Sequence, residues 1–206
     1  MTALEVKDVF YWYTEGRPVL QGINLSFEKG KMYVILGPSG CGKTTLLSLL
    51  GGLDVPNKGQ ILSEGRELSE IGLERYRHER VSFVFQNYNL IDYMTPEENV
   101  ALTTKQEPLS TLLQLGLTPE EAKRNVLKLS GGQQQRVAIA RALASQAPVI
   151  LADEPTGNLD RATAQEITAI LKSAAKEYHR CVIVVTHSNE VAEEADVVIR
   201  LEAISK

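Results

Sequence analysis

One octapeptide, Gly37-Pro38-Ser39-Gly40-Cys41-Gly42-Lys43-Thr44, constrains this chain more than any other segment. It follows the apolar run Tyr33-Val34-Ile35-Leu36 and opens onto Thr45-Leu46-Leu47-Ser48-Leu49-Leu50. Strand, glycine-rich turn, then helix is the context that a phosphate-binding loop requires. Glycines let the backbone curl so that successive N–H groups point at an anion, and the helix adds its positive N-terminal dipole. In such a loop Lys43 reaches the β- and γ-phosphates as a mobile charge and the Thr44 hydroxyl ligates magnesium; Thr45 beside it is a further candidate for nucleotide binding. The bland alternative is a βα turn that binds nothing. The bare pattern arises by chance in roughly one chain per hundred of this length, and the flanking strand and helix lower that further. The chain is expected to bind a nucleoside triphosphate.

A length of 206 residues suits one α/β domain with a substantial core. The formal charge of −4 argues against a chain built mainly to coat nucleic acid or anionic lipid. No apolar run approaches the ~20 residues that span a bilayer. The first residues, Met1-Thr2-Ala3-Leu4-Glu5, lack the parts of a signal peptide. The expectation is a soluble, cytoplasmic chain that is free to dock on a membrane protein. Two cysteines, Cys41 and Cys181, make neither a disulfide framework nor a zinc site.

Met32–Leu36, Val81–Phe85, Val149–Ala152 and Val182–Val185 are apolar or nearly so throughout, as strands buried on both faces are. Helical patterns lie near 43–52, 69–79, 131–145 and 160–177, so the alternation predicts a mostly parallel α/β sheet. Residues 2–10 and 23–28, joined around Glu15-Gly16-Arg17-Pro18, suggest an antiparallel sheet that a strand near 59–65 joins. Residues 95–129 show no strand. Thr95-Pro96-Glu97-Glu98 and Thr118-Pro119-Glu120-Glu121 are helix starts, each with a Thr cap, a first-turn proline and a capping-box Glu. The predicted organisation is a single domain, 1–206, in which a helical subdomain at 87–129 interrupts a core of 1–86 and 130–206.

Val149-Ile150-Leu151-Ala152-Asp153-Glu154 is a buried strand ending in two carboxylates. Beside a phosphate loop, Asp153 is placed to hold magnesium and Glu154 to polarise the attacking water. The same Asp-Glu-Pro also suits a simple strand end and turn. Leu129-Ser130-Gly131-Gly132-Gln133 precedes a long helical pattern and forms either a second anion-binding device or only a cap and tight turn.

Together these segments resemble the nucleotide-binding subunit of ABC transporters over essentially the whole chain. The phosphate loop, Leu129 to Gln133, Asp153-Glu154, and His187 after Val182-Ile183-Val184-Val185-Thr186 stand in that family's order. Gln86, after Ser82-Phe83-Val84-Phe85, matches the glutamine that opens the helical lobe, and Asn158-Leu159-Asp160 the loop after the catalytic strand. The resemblance implies the P-loop ABC ATPase fold and a head-to-tail homodimer with two ATP molecules at its interface. Each nucleotide would touch the phosphate loop of one subunit and Ser130-Gly131-Gly132, with Gln133, of the other. It implies that Glu154 is the general base, that His187 bonds the γ-phosphate, that Gln86 helps position magnesium and water, and that Asp160 crosses the interface. It favours Tyr13, among Tyr11, Trp12 and Tyr13, as the aromatic that stacks on adenine. Cys41 is expected to be exposed without nucleotide and shielded with it, and Cys181 to be buried packing.

Phe83 to Leu90 and Leu151 to Asp160 look like the macrolide-exporter, lipoprotein-release and cell-division branch, as does Gln133-Gln134-Gln135-Arg136. That branch implies an integral-membrane permease as partner, export or mechanotransmission as the task, and a location on the inner face of the cell membrane. Leu90, Ile91, Tyr93 and Met94 would line the groove for a permease helix. Two features depart from the branch: a short segment between Gln86 and Leu129, and an end soon after the last predicted strand, Val197–Leu201. The alternative is a soluble ABC ATPase acting on nucleic acid, ribosomes or assembly factors. The acidic charge, without a basic extension, counts against it, and no nucleic acid is expected. An adenylate-kinase-like phosphotransferase would explain the phosphate loop but not Leu129 to Gln133.

Overall fold

Short apolar runs become a five-stranded parallel sheet in the computed structural model, which describes residues 1–202. The elements in chain order are β1 (Thr2–Thr14), β2 (Arg17–Glu28), β3 (Met32–Leu36), α1 (Lys43–Leu50), β4 (Lys58–Ser63), β5 (Arg66–Glu67), α2 (Leu68–Ile71), α3 (Leu73–Glu79) and β6 (Val81–Phe85). They continue as α4 (Pro96–Ala101), α5 (Pro108–Gln114), α6 (Pro119–Lys123), α7 (Gly131–Ala144), β7 (Val149–Asp153), α8 (Arg161–Lys176), β8 (Cys181–Thr186), α9 (Asn189–Glu193) and β9 (Val197–Arg200). The parallel sheet runs β6-β7-β8-β3-β9, and a second, antiparallel sheet runs β2-β1-β4-β5.

Strand alternation divides the core into two layers. Val34, Val182 and Val184 face α7 and α8 through Val137, Ile139, Ile167 and Leu171. Tyr33, Ile35, Ile183 and Val185 face the other way, onto Leu46, Leu49 and Leu50 of α1 and onto Leu4, Val6 and Phe27 of the antiparallel sheet. Both faces of β3 and β8 are therefore dry, which is why their sequences carry no polar alternation.

The segment between β6 and α7 is helical. Both expected capping boxes form, at Thr95 with Glu98 and at Thr118 with Glu121. Its apolar residues, Val100, Leu112, Leu117 and Val126, join the same layer as Val137 and Ile139. Asn99, fully buried, accepts from the Ile91 N–H at 2.7 Å and donates to the Ile91 and Thr95 carbonyls, which ties the loop after β6 to α4.

Several boundaries differ from the periodicity. The first hairpin is longer than expected because its turn is only Glu15-Gly16, and Pro18 lies within β2. β2 is an edge strand, where a missing N–H is tolerated. The single helix expected at 69–79 is split by Gly72, whose φ of 86° lies outside the helical region.

Candidate active site

Parallel register gathers the motifs. Leu36 pairs with Thr186, Asp153 with Val185, and Phe85 with Asp153, so β3, β6, β7 and β8 end in one row. The residues that leave this row are Gly37, Gln86, Glu154 and His187. Segments up to 150 residues apart in sequence thus meet at the carboxyl edge of the sheet, where parallel α/β sheets bind ligands.

The loop after β3 turns into α1 at Gly42, whose φ of 98° admits glycine without strain. Gly42 offers α1 no side-chain cap, so the first-turn N–H groups lack the acceptor a Ser or Asp would supply. Lys43, only 9% exposed, lays its ammonium across the loop and donates to the Gly37 and Pro38 carbonyls at 2.8 and 2.9 Å. The cation thereby holds the loop's shape from inside. Pro38, Ser39 and Gly40 are exposed at the rim. Cys41 is not exposed, contrary to the sequence expectation. It is 3% accessible, because its thiol turns under the loop beside Gly37 and joins the apolar layer around α1. Cys181 is buried as expected, and burial pushes its thiol up to about 12.

Thr44 donates from Oγ1 to Asp153 Oδ1 at 3.3 Å, joining the loop to the end of β7. Burial raises the Asp153 carboxyl above the ordinary aspartate range, the Thr44 bond opposes this, and the neighbouring Glu154 charge adds to it. A half-buried carboxylate beside a hydroxyl is a pair of hard oxygen donors of the kind a divalent cation takes.

Glu154 adopts a left-handed φ of 44°, uncommon outside glycine. Its N–H donates to the Val185 carbonyl at 2.9 Å, and its own carbonyl accepts from Gly157 at 3.1 Å. The turn is fastened from the opposite side by Gln135 of α7, fully buried, whose Nε2 donates to the Pro155 carbonyl at 2.8 Å. The carboxylate meets His187 Nδ1 at 2.8 Å through Oε1 and Thr186 Oγ1 at 2.8 Å through Oε2. Gln86 lies along the same turn, with Nε2 donating to Asn158 Oδ1 and its carbonyl accepting from Asn158 Nδ2, both at 3.4 Å.

Ser130 caps α7. Its Oγ accepts from the Gln133 N–H at 3.3 Å, and Gln133 Oε1 accepts from the Ser130 N–H at 2.9 Å. Gln133 Nε2 donates to Glu121 Oε1 at 2.6 Å, which joins this box to the one that starts α6. Gly131 and Gly132 are needed for close approach, since a Cβ there would collide with the Tyr88 hydroxyl and the Thr163 methyl. Among the described residues, no hydrogen bond joins Ser130–Gln133 to the loop at 37–44. Asp160 caps α8 by accepting from the Thr163 N–H at 3.0 Å and the Thr163 hydroxyl at 2.6 Å, and these bonds lower its pKa. Tyr13 stands 71% exposed, edge-on to Tyr11 with ring centroids 4.9 Å apart, and its hydroxyl lies 3.2 Å from Thr45 Oγ1.

Four contacts that support these groups are not legible in the sequence: Thr186 and Gln135 on the Glu154 turn, Asn158 (named above only as part of its loop) on Gln86, and the Tyr11–Asp54 hydrogen bond behind Tyr13. Thr186 left one trace, a polar residue closing an otherwise apolar strand. The others depend on partners distant in sequence.

Residues 20–157, from β2 through the carboxylate turn, match the family described as ABC transporter. The chain belongs to this family. It is 47% identical to the ABC transporter ATP-binding protein YclH of Bacillus subtilis, over 98% of this chain and 94% of that one. The macrolide export ATP-binding/permease protein MacB of Haemophilus ducreyi is 40% identical over 97% of this chain, which covers 31% of that protein. The fold superposes with a TM-score of 0.86 and 35% identity on the ATP-binding cassette MJ0796 in its dimeric, post-hydrolysis state bound to ADP and Pi. That match spans 98% of this chain and 97% of the other. This ABC cassette is an ATP-binding ATPase of the branch that includes MacB.

Proposed function

We propose that the chain powers a separate integral-membrane permease, in export or mechanotransmission, by closing as a head-to-tail homodimer on two Mg-ATP and opening after hydrolysis. The carrying observation is the strand register, which sets the phosphate loop, Asp153, Glu154 and His187 at one sheet edge. The dimeric state of MJ0796 and the joined ATP-binding and permease parts of MacB support the two partners.

In this reading the α1 amides and Lys43 hold the phosphates, and Lys43 exchanges its two loop carbonyls for phosphate oxygens. Tyr13 stacks on adenine. Thr44 and Asp153, with Gln86, hold the magnesium ion, which neutralises charge on the phosphates when bound. Glu154 takes a proton from the attacking water, and His187 turns from Glu154 to the γ-phosphate. Ser130, Gly131, Gly132 and Gln133 serve the partner's nucleotide once the Ser130–Gln133 box loosens, and Asp160 borders the interface.

Residues 1–86 and 130–206 act as the nucleotide-binding core with its antiparallel lobe, and 87–129 as the helical lobe. Tyr93, 81% exposed, is the open apolar residue of the permease contact, whereas Leu90 turns inward against the core. Among the described residues no helix is long and apolar enough to cross a membrane. In this reading the permease holds the chain at the inner face.

The direct test is Glu154→Gln. ATP binding is expected to persist while turnover falls ~10²–10⁴-fold, the range of a lost general base. Wild-type turnover would remove Glu154 from that role. Purified with ATP from solubilised membranes, the variant is expected to carry a permease; soluble assembly factors in its place would overturn the membrane assignment.

A further inference from the structure

The two oxygens of the Glu154 carboxylate are held by unlike donors. Thr186 Oγ1 donates to Oε2 and His187 Nδ1 meets Oε1, each at 2.8 Å. Thr186 is 1% exposed, whereas the His187 side chain is 74% exposed. Thr186 is also locked into the sheet, as the last residue of β8 in register with Leu36 of β3. Its hydroxyl accepts from the Ser188 N–H at 3.1 Å. A hydroxyl carries one proton, so with the Ser188 amide at a lone pair the proton is aimed at Oε2. The preceding residue, Val185, accepts from the Glu154 N–H. Consecutive residues of β8 thus grip Glu154 at backbone and side chain, and they do so around the left-handed φ of 44°.

We propose that Thr186 is a positioning residue for hydrolysis. It pins Oε2, leaving Oε1 as the oxygen that receives the proton of the attacking water. The imidazole on Oε1 is exposed and free to turn away; the hydroxyl on Oε2 is buried and stays. When His187 swings to the γ-phosphate, one lone pair is uncovered in a fixed direction and the carboxylate plane does not rotate. In the step that follows, a water O–H bond breaks and its proton goes to Oε1. The water oxygen bonds to the γ-phosphorus. The bond from that phosphorus to the bridging oxygen breaks, and its electron pair leaves on ADP. Thr186 neither gains nor loses a proton. This assignment rests on Glu154 as the general base.

The experiment measures kcat and KM for Mg-ATP on four full-length forms: wild type, Thr186→Val, Thr186→Ser and Glu154→Gln. Valine keeps the branched shape without the hydroxyl; serine keeps the hydroxyl without the methyl. The expected result is a ~10–100-fold fall in kcat for Thr186→Val with KM within about twofold of wild type, the scale of a misaimed catalytic group. Thr186→Ser restores most of the rate, and Glu154→Gln falls furthest. Wild-type kcat in Thr186→Val beside a dead Glu154→Gln would overturn the role of Thr186 and leave Glu154 as the base. Equal losses in the serine and valine variants would also overturn it, since packing rather than the hydroxyl would then matter. An active Glu154→Gln would remove both assignments together.

Discussion

Asp153 and Glu154 are sequence neighbours with opposite surroundings. Asp153 is bonded to Thr44 and its carboxyl is raised by burial, while Glu154 turns out of the strand into two hydrogen bonds. A carboxyl raised in the folded state is ionised first in the unfolded chain, so stability falls as pH climbs from the ordinary aspartate value through the folded one. Asp153→Asn is therefore expected to flatten that fall and raise the nucleotide-free melting temperature at neutral pH, while abolishing magnesium-dependent turnover. Thermal unfolding across pH 3–7, about the carboxylate range, reads the first effect. Tyr13→Ala is expected to weaken ATP binding by ~1–3 kcal/mol, the scale of base stacking, and Tyr13→Trp to preserve it, as titration will show. Cys41 and Cys181, both buried, should alkylate at neutral pH only as the chain opens, which mass spectrometry of native and urea-treated protein will report. The sequence displays the candidate residues for the chemistry but not the contacts that support them. Nothing near Pro155 points to Gln135, twenty residues earlier, as the donor to its carbonyl.

At the scale of elements, local signals translated closely wherever the chemistry was local. The boxes at Thr95, Thr118 and Ser130 each close within four residues, so spacing alone carries the first two helix starts and the cap that was one of two readings of the third. Thr118→Ala is expected to cost about 1 kcal/mol of unfolding stability, measured by denaturant titration. Its partner Glu121 is held below the ordinary glutamate range, first by the Thr118 N–H and then by the Thr118 and Gln133 side chains. The sign is that of a depressed acid: the contribution is full above the unfolded glutamate value and is lost as pH falls through the folded one. Glu121→Gln should shrink that acid-side loss. Signals failed where elements meet. Periodicity runs 69–79 through Gly72 because a glycine in a helical pattern costs only ~1 kcal/mol, too little to mark a break by itself. Cys41 differs from expectation for a related reason: loop composition reads as exposure, while the tertiary contacts of Gly37 and α1 draw its thiol inward.

Across the whole molecule, Glu154→Gln is expected to dimerise with Mg-ATP and to remain monomeric with ADP, as light scattering will register. A persistent monomer even with the membrane partner present would reject the clamp. The two proposed ends of that clamp are the phosphate loop at the sheet edge and Ser130–Gln133 at the start of α7, and no hydrogen bond joins them among the described residues. The sequence by itself determined the phosphate loop, the carboxylate pair, the Ser130 motif, the parallel α/β class and the family, because each is written in contiguous residues whose spacing is the chemistry. Only the tertiary structure decided which groups touch. The register of β3, β6, β7 and β8 brings Gly37, Gln86, Glu154 and His187 into one row, and the burial of Thr186 and Gln135 fixes the turn that carries Glu154. The physical reason is that hydrogen-bond partnership depends on distance in space, and parallel pairing sets those distances between segments that the sequence keeps far apart.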